Sequence, residues 1–149
     1  MVIHNPMIFQ VIMLFSASHY AARCGDITLA PTILYLKQCA IAGIVNAVSG
    51  LNGQAGDDLI AAIAKMASYE AIYGTETAYH AHMKGVEKML RLRGGLSVLG
   101  LDGFLSRLLI FIDTNSAFLL NTHLYLQDSA FPRLAPFVMP NPGRFIGAS

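Results

Sequence analysis

Cysteine is scarce in this chain: Cys24 and Cys39 are the two it has in 149 residues. They are too few for a disulfide framework and lie in no CxxC pair, so a reducing compartment is expected. Charge is scarce too. Charged residues make up 13% of the chain, against roughly 25% in an ordinary soluble domain. The net charge of +1 gives no general attraction to nucleic acid. Neither of two apolar stretches considered as membrane spans is long and clean enough. Met7 to Phe15 is interrupted by Gln10 and followed by Ser16, Ser18 and His19, whereas Leu105 to Leu120 contains Arg107, Asp113 and Asn115. The first also lacks the basic flank and good cleavage site of a signal peptide. Both read as core helices, apolar nearly all round, and no membrane contact is expected. No internal repeat points to a solenoid.

Apolar residues are abundant, at 54% with a mean hydropathy of +0.51. A chain of this length makes one domain, and one this apolar needs a membrane or a covered surface. Punctuation along the chain predicts helices and no strands. Asn5-Pro6 starts a helix that stops at Gly25. A second runs from Pro31 to about Ser49 and is followed by the glycine-containing loop to Gly56. Asp57 and Asp58 suit the N-terminal dipole of a third, which Gly74 ends. Thr75 and Glu76 open a fourth, and Gly94 and Gly95 supply its left-handed end. A turn at Leu96 to Leu99 leads to a last helix from about Gly103 to Asn121. The expected fold is all-α, an orthogonal or antiparallel bundle of about five main helices. Its domain is expected to span 1–124, with an irregular, proline-containing tail over 125–149.

Helical geometry, at roughly 100° per residue, places charge on two inward faces. Between Asp57 and Tyr73, the residues Leu59, Ile60, Ile63, Met66 and Ala67 share an arc with Glu70 near its middle. Lys65, Ser68 and Ala61 lie opposite. Between Thr75 and Arg93, an apolar stripe of Tyr79, Met83, Val86 and Leu90 is bordered by His82 and Arg93. Because a buried charge is costly unless paired, Glu70 and Arg93 are expected to meet. Asp113 is the rival partner for Arg93. The pair reads as structural, with an acid–base or ligand-binding couple as the alternative.

Motifs that carry chemistry are missing. His80 and His82 point about 200° apart on a helix and cannot share one ion. His80 with Glu76 gives two metal ligands, too few for a site, and reads as solvated face. Gly100 to Gly103 lacks phosphate-loop spacing, and no Ser/His/Asp set can be assembled. Lys84, Lys88 and Arg91 form an exposed basic stripe beside Glu87, and three such charges give only weak, salt-sensitive phosphate affinity. No catalytic residue, cofactor or metal is expected.

An ordered series of segments resembles the fungal-specific transcription factor domain. The series is Asn5-Pro6-Met7-Ile8-Phe9 through Ser16-Ala17-Ser18-His19-Tyr20, then Ala67-Ser68-Tyr69-Glu70-Ala71, Gly74, His82-Met83-Lys84-Gly85, Arg93-Gly94-Gly95 and Asp113. The resemblance implies an all-helical regulatory module, intracellular in nucleus or cytoplasm, concerned with effector response, dimer contacts or control of activity. It implies no chemistry. The zinc-cluster module that accompanies such domains needs six cysteines in a short basic segment. With two distant cysteines, this chain is expected to be a truncated regulator that does not bind DNA specifically by itself. Exposed apolar helix faces would then make it a homo-oligomer or give it a protein partner. Glu70, His82, Gly85, Arg93, Gly94, Gly95 and Asp113 are the residues expected to hold the fold or line a pocket. A small apolar ligand, or a small isomerase- or cyclase-type enzyme using His82 or Glu70, is the other reading.

Overall fold

The computed structural model describes residues 6–50 and 56–127, which form five helices. They are α1 (Pro6–Cys24), α2 (Ala30–Ser49), α3 (Asp57–Tyr73), α4 (Glu76–Arg93) and α5 (Phe104–Leu120), with single 3-10 turns at Ile27–Leu29 and Leu96–Val98. No strand occurs among the described residues, so the fold is all-α as expected.

The helix ends follow the local chemistry. Gly25, at φ +63°, turns the chain out of α1, and Asp26 accepts the Thr28 amide at 2.9 Å to start the next turn. Pro31 sits in the first turn of α2, where its missing N–H costs nothing. Thr75 caps α4 by accepting from the Ala78 amide at 3.2 Å. At the other end of α4, Gly94 is left-handed at φ +101°, and the Gly95 amide donates back to the Leu90 carbonyl at 2.8 Å. The expected N-cap Asn5 and most of the loop after Gly50 lie outside the described residues.

α3 is the axle of the bundle and packs against each of the other four helices. Leu59, Ile60, Ile63, Met66 and Ala67 are buried, and so are Ala62, Ala64, Tyr69, Glu70 and Ala71. Its predicted outer side, Ala61, Lys65 and Ser68, is half-buried rather than exposed. There Lys65 Nζ lies 4.8 Å from the centroid of the Phe15 ring, and burial pulls its pKa down. On α4 the stripe Tyr79, Met83, Val86 and Leu90 is buried as its spacing predicts. α1 is stitched to α3 by Ser18 and the Tyr69 hydroxyl at 2.9 Å, and Phe15 meets the Tyr69 ring edge-on at 5.4 Å.

One sequence expectation needs correction here. α1 and α5 are not apolar all round toward a core: Phe9, Met13, Phe104, Phe111 and Phe118 face outward. The outer helix with the least burial is α2, in which Ala40 and Ile44 are the buried residues. The stretch Ile27–Ser49 is long and apolar enough to cross a membrane, with 11% of its most apolar window buried. The charge in that stretch is Lys37, and it reaches into the bundle. Tyr125 and Leu126, at the start of the expected tail, are buried. The remainder of that tail, 128–149, lies outside the described residues.

Candidate functional site

Three carboxylates point into the described structure, and each accepts hydrogen bonds from the backbone of a connecting segment. Glu70, in the last turn of α3, is 1% exposed. Its Oε2 accepts the Thr75 amide at 3.0 Å, which ties the α3–α4 turn. Its Oε1 lies 2.8 Å from Lys37 Nζ of α2. Gly74 makes this possible, since a Cβ there would fall 1.6 Å from Glu70 Oε2. The carboxylate occupies the volume a side chain at 74 would need.

Asp113 of α5, 2% exposed, receives the amides of Tyr125 and Leu126 at 3.0 and 2.9 Å. Burial pushes its pKa up, and the two amides partly offset that. Asp57, in the first turn of α3, accepts the Gly100 amide at 2.9 Å and pairs with Arg93.

The expected Glu70–Arg93 contact does not form. Only two residues, Gly74 and Thr75, separate α3 from α4, so the helices run antiparallel. The last turn of α4 therefore lies beside the first turn of α3. Glu70 is 13 positions beyond Asp57 along α3, roughly 20 Å at 1.5 Å per residue. Arg93 meets Asp57, while Glu70 is met by Lys37 from α2. Asp113 is not the partner of Arg93 either.

The other expected residues fall around these anchors. His82 is half-buried. Burial lowers its pKa, as does the nearby Lys37 charge, against the pull of Glu70. Gly85 faces Ile63 across the α3–α4 contact, where a Cβ would meet Ile63 Cγ2 at 4.0 Å, an ordinary contact. Gly94 and Gly95 both lie at positive φ and serve as the end of α4. Arg93, Gly94 and Gly95 lie at the opposite end of the α3–α4 pair from Glu70.

A cluster not anticipated from sequence surrounds Tyr125. His80 Nδ1 is hydrogen-bonded to the Tyr125 hydroxyl, His123 stacks near His80 at 5.7 Å, and Glu76 Oε1 is 3.4 Å from His80 Nε2. His80 is thus not on a fully solvated face, because the segment after α5 folds back over it. The pairing of Asp113 with the Tyr125 and Leu126 amides helps to hold that segment in place, and spacing along the chain does not reveal it. Beside this cluster an open, polar groove of about 340 Å³ is lined by Lys84, Glu87, His123, Leu124, Tyr125 and Gln127. Glu70, His82 and Arg93 are not part of it. Among the described residues, no group of three or more His, Cys, Asp or Glu is placed to hold a metal ion.

Chemically, this arrangement is a set of clamps. Glu70 and Asp113 spend their oxygen atoms on backbone amides or an ammonium. Lys84, Lys88 and Arg91 are exposed as predicted, with Arg91 paired to Glu87. A family model described as the fungal specific transcription factor domain matches residues 1–145. No curated protein matches the chain, and no solved structure does.

Proposed function

This chain belongs to the fungal-specific transcription factor domain family, and from that premise we propose that it is a non-catalytic regulatory module working through protein contacts, in the nucleus, rather than by reading DNA directly. The supporting observation is the division between its interior and its surface. Inward polar groups are committed to holding loops and helices, whereas the outer sides of α2 and α5 carry large apolar side chains in water. Leu34, Tyr35, Val45 and Val48 are exposed on α2, and Phe104, Phe111 and Phe118 on α5. Scattered exposed apolar residues are normal, but rows of them on two helices are the usual mark of an interaction surface.

Direct DNA reading has little to work with. The exposed basic stripe has three charges, one of them already paired within its own helix, so binding to duplex would be weak, salt-steep and indifferent to sequence.

The reading is tested by fusing the full chain to a heterologous DNA-binding module and measuring a reporter with the matching operator. The fusion should change reporter output several-fold relative to the DNA-binding module alone. Val45→Glu, which puts a charge on the α2 surface without touching the core, should reduce that change. A fusion indistinguishable from the DNA-binding module alone would count against the regulatory reading. Sequence-specific retardation of duplex DNA by the unfused chain would count against the exclusion of direct reading.

A further inference from the structure

The outer side of α5 carries three phenylalanines at equal intervals. Phe104, Phe111 and Phe118 are seven residues apart, about two helical turns, and so lie almost in line, roughly 10.5 Å from one to the next. They are 52%, 58% and 90% exposed. Leu108 is partly buried between the first two, and Asn115 is exposed between the second and third. The order Phe104, Leu108, Phe111, Asn115, Phe118 is the alternating four-and-three spacing of a helix–helix seam. Among the described residues α5 packs chiefly on α3, through the side that carries Leu105, Leu109, Ile112 and Ala117 rather than through this seam.

We propose that this seam is the contact for a second copy of the same chain, with the two α5 helices antiparallel about a two-fold axis at Phe111. The inference rests on the regulatory-module reading and names the partner of one of its two outer faces. Equal spacing makes the row its own complement. With Phe111 on the axis, Phe104 of one copy lies opposite Phe118 of the other, so every phenylalanine meets a phenylalanine.

Charge selects the same arrangement. α5 contains two charged residues, Arg107 and Asp113, and Asp113 is buried and held by the Tyr125 and Leu126 amides. Arg107 is four residues before Phe111 and Asn115 four residues after it. The antiparallel pairing therefore sets each Arg107 against the uncharged Asn115 of the other copy. A parallel pairing would set the two Arg107 side chains against each other, and like charges in opposition are unfavourable.

The seam is short. α5 has 17 residues, about 25 Å of helix, which supplies less than the roughly 800 Å² per partner of a standard stable interface. The dimer is accordingly a weak, reversible one, with a dissociation constant on the order of micromolar.

Sedimentation of the full chain, from low to high micromolar concentration, tests this. The weight-average mass should rise with concentration toward that of a dimer. Phe111→Glu, which sets two carboxylates on the axis while leaving the core side of α5 untouched, should keep the chain monomeric with unchanged helical circular dichroism. Asn115→Asp should tighten association several-fold at low salt, by pairing with Arg107 of the other copy, and high salt should remove that gain. Val45→Glu on α2 should leave association as it is. A wild-type chain that stays monomeric throughout, or one in which Phe111→Glu associates as the wild type does, overturns the proposal. So does a weakened Asn115→Asp dimer, or association lost through Val45→Glu instead. A monomer that still changes reporter output overturns the seam and leaves the regulatory reading standing. A dimer with no effect on the reporter does the reverse.

Discussion

Lys37 Nζ of α2 lies 2.8 Å from Glu70 Oε1 of α3, an ion pair between the helix with the fewest buried residues and the one with the most. Glu70 is 1% exposed and Lys37 30%, so the carboxylate is the dependent partner: it loses water on burial, while the ammonium keeps some. Replacing Lys37 by Met should leave that carboxylate unpaired and cost about 1–3 kcal/mol, less than for a fully buried pair because Lys37 is partly solvated. A double-mutant cycle by chemical denaturation should give a clear coupling between Lys37 and Glu70 and almost none between Arg93 and Glu70.

Two glycines should respond oppositely to one added methyl group. At Gly74 a Cβ would collide with Glu70 Oε2 at 1.6 Å. Gly74→Ala should therefore expel the carboxylate from its place beside Thr75 and Lys37, at a cost of about 2 kcal/mol or more. At Gly85 the nearest atom to a Cβ is Ile63 Cγ2 at 4.0 Å, and the position is mid-helix. Gly85→Ala should stabilise by about 0.5–1 kcal/mol through the lower backbone entropy of the unfolded chain. Thermal or denaturant melts of the two variants check both signs.

Asp113 is the anchor of the segment after α5. Asp113→Ala would strand the buried amides of Tyr125 and Leu126, and should cost about 2 kcal/mol or more. Asp113→Asn keeps an acceptor and removes the buried charge, so it should cost less. Hydrogen exchange at the Tyr125 and Leu126 amides should rise in the Ala variant ahead of exchange in α3.

His82 gives the fold a pH dependence of known sign. Its pKa is lowered from an ordinary 6.5, chiefly by burial, so the unfolded chain takes up a proton at a higher pH than the folded chain does. The stability associated with neutral His82 is present above the unfolded value and is lost as pH falls through it toward the folded one. The melting temperature should fall between about pH 7 and pH 5, and His82→Leu should flatten that fall. An equal fall in the variant would assign the effect to other groups.

Much of the architecture was legible because local signals dominate it. Pro6, Gly25, Gly74, Gly94 and Gly95 mark helix ends for reasons confined to a few residues, and the α4 stripe follows directly from helical spacing. The inward direction of Glu70 was legible for the same reason. Its partner was not, because helical spacing says which way a side chain points and not what stands there. The two-residue connection at Gly74 and Thr75 did hold the missing information: it forces an antiparallel hairpin, and that sets Arg93 beside Asp57. Lys37 could not be found so simply. α2 is apolar on nearly every side, and which side meets α3 is decided by long-range packing. The exposed phenylalanines of α5 were hidden by the same property, since an apolar helix reads as core whether or not a partner covers it.

In the proposed function the inward carboxylates hold the fold while the outer helix faces carry the regulatory role. The most direct measurement is reporter output from the full-chain fusion, comparing Glu70→Gln with Val45→Glu and Phe111→Glu at a temperature where all three are folded by circular dichroism. Glu70→Gln should give wild-type output, and at least one of the surface variants reduced output. Output lost in folded Glu70→Gln but retained in both surface variants would contradict that division of roles.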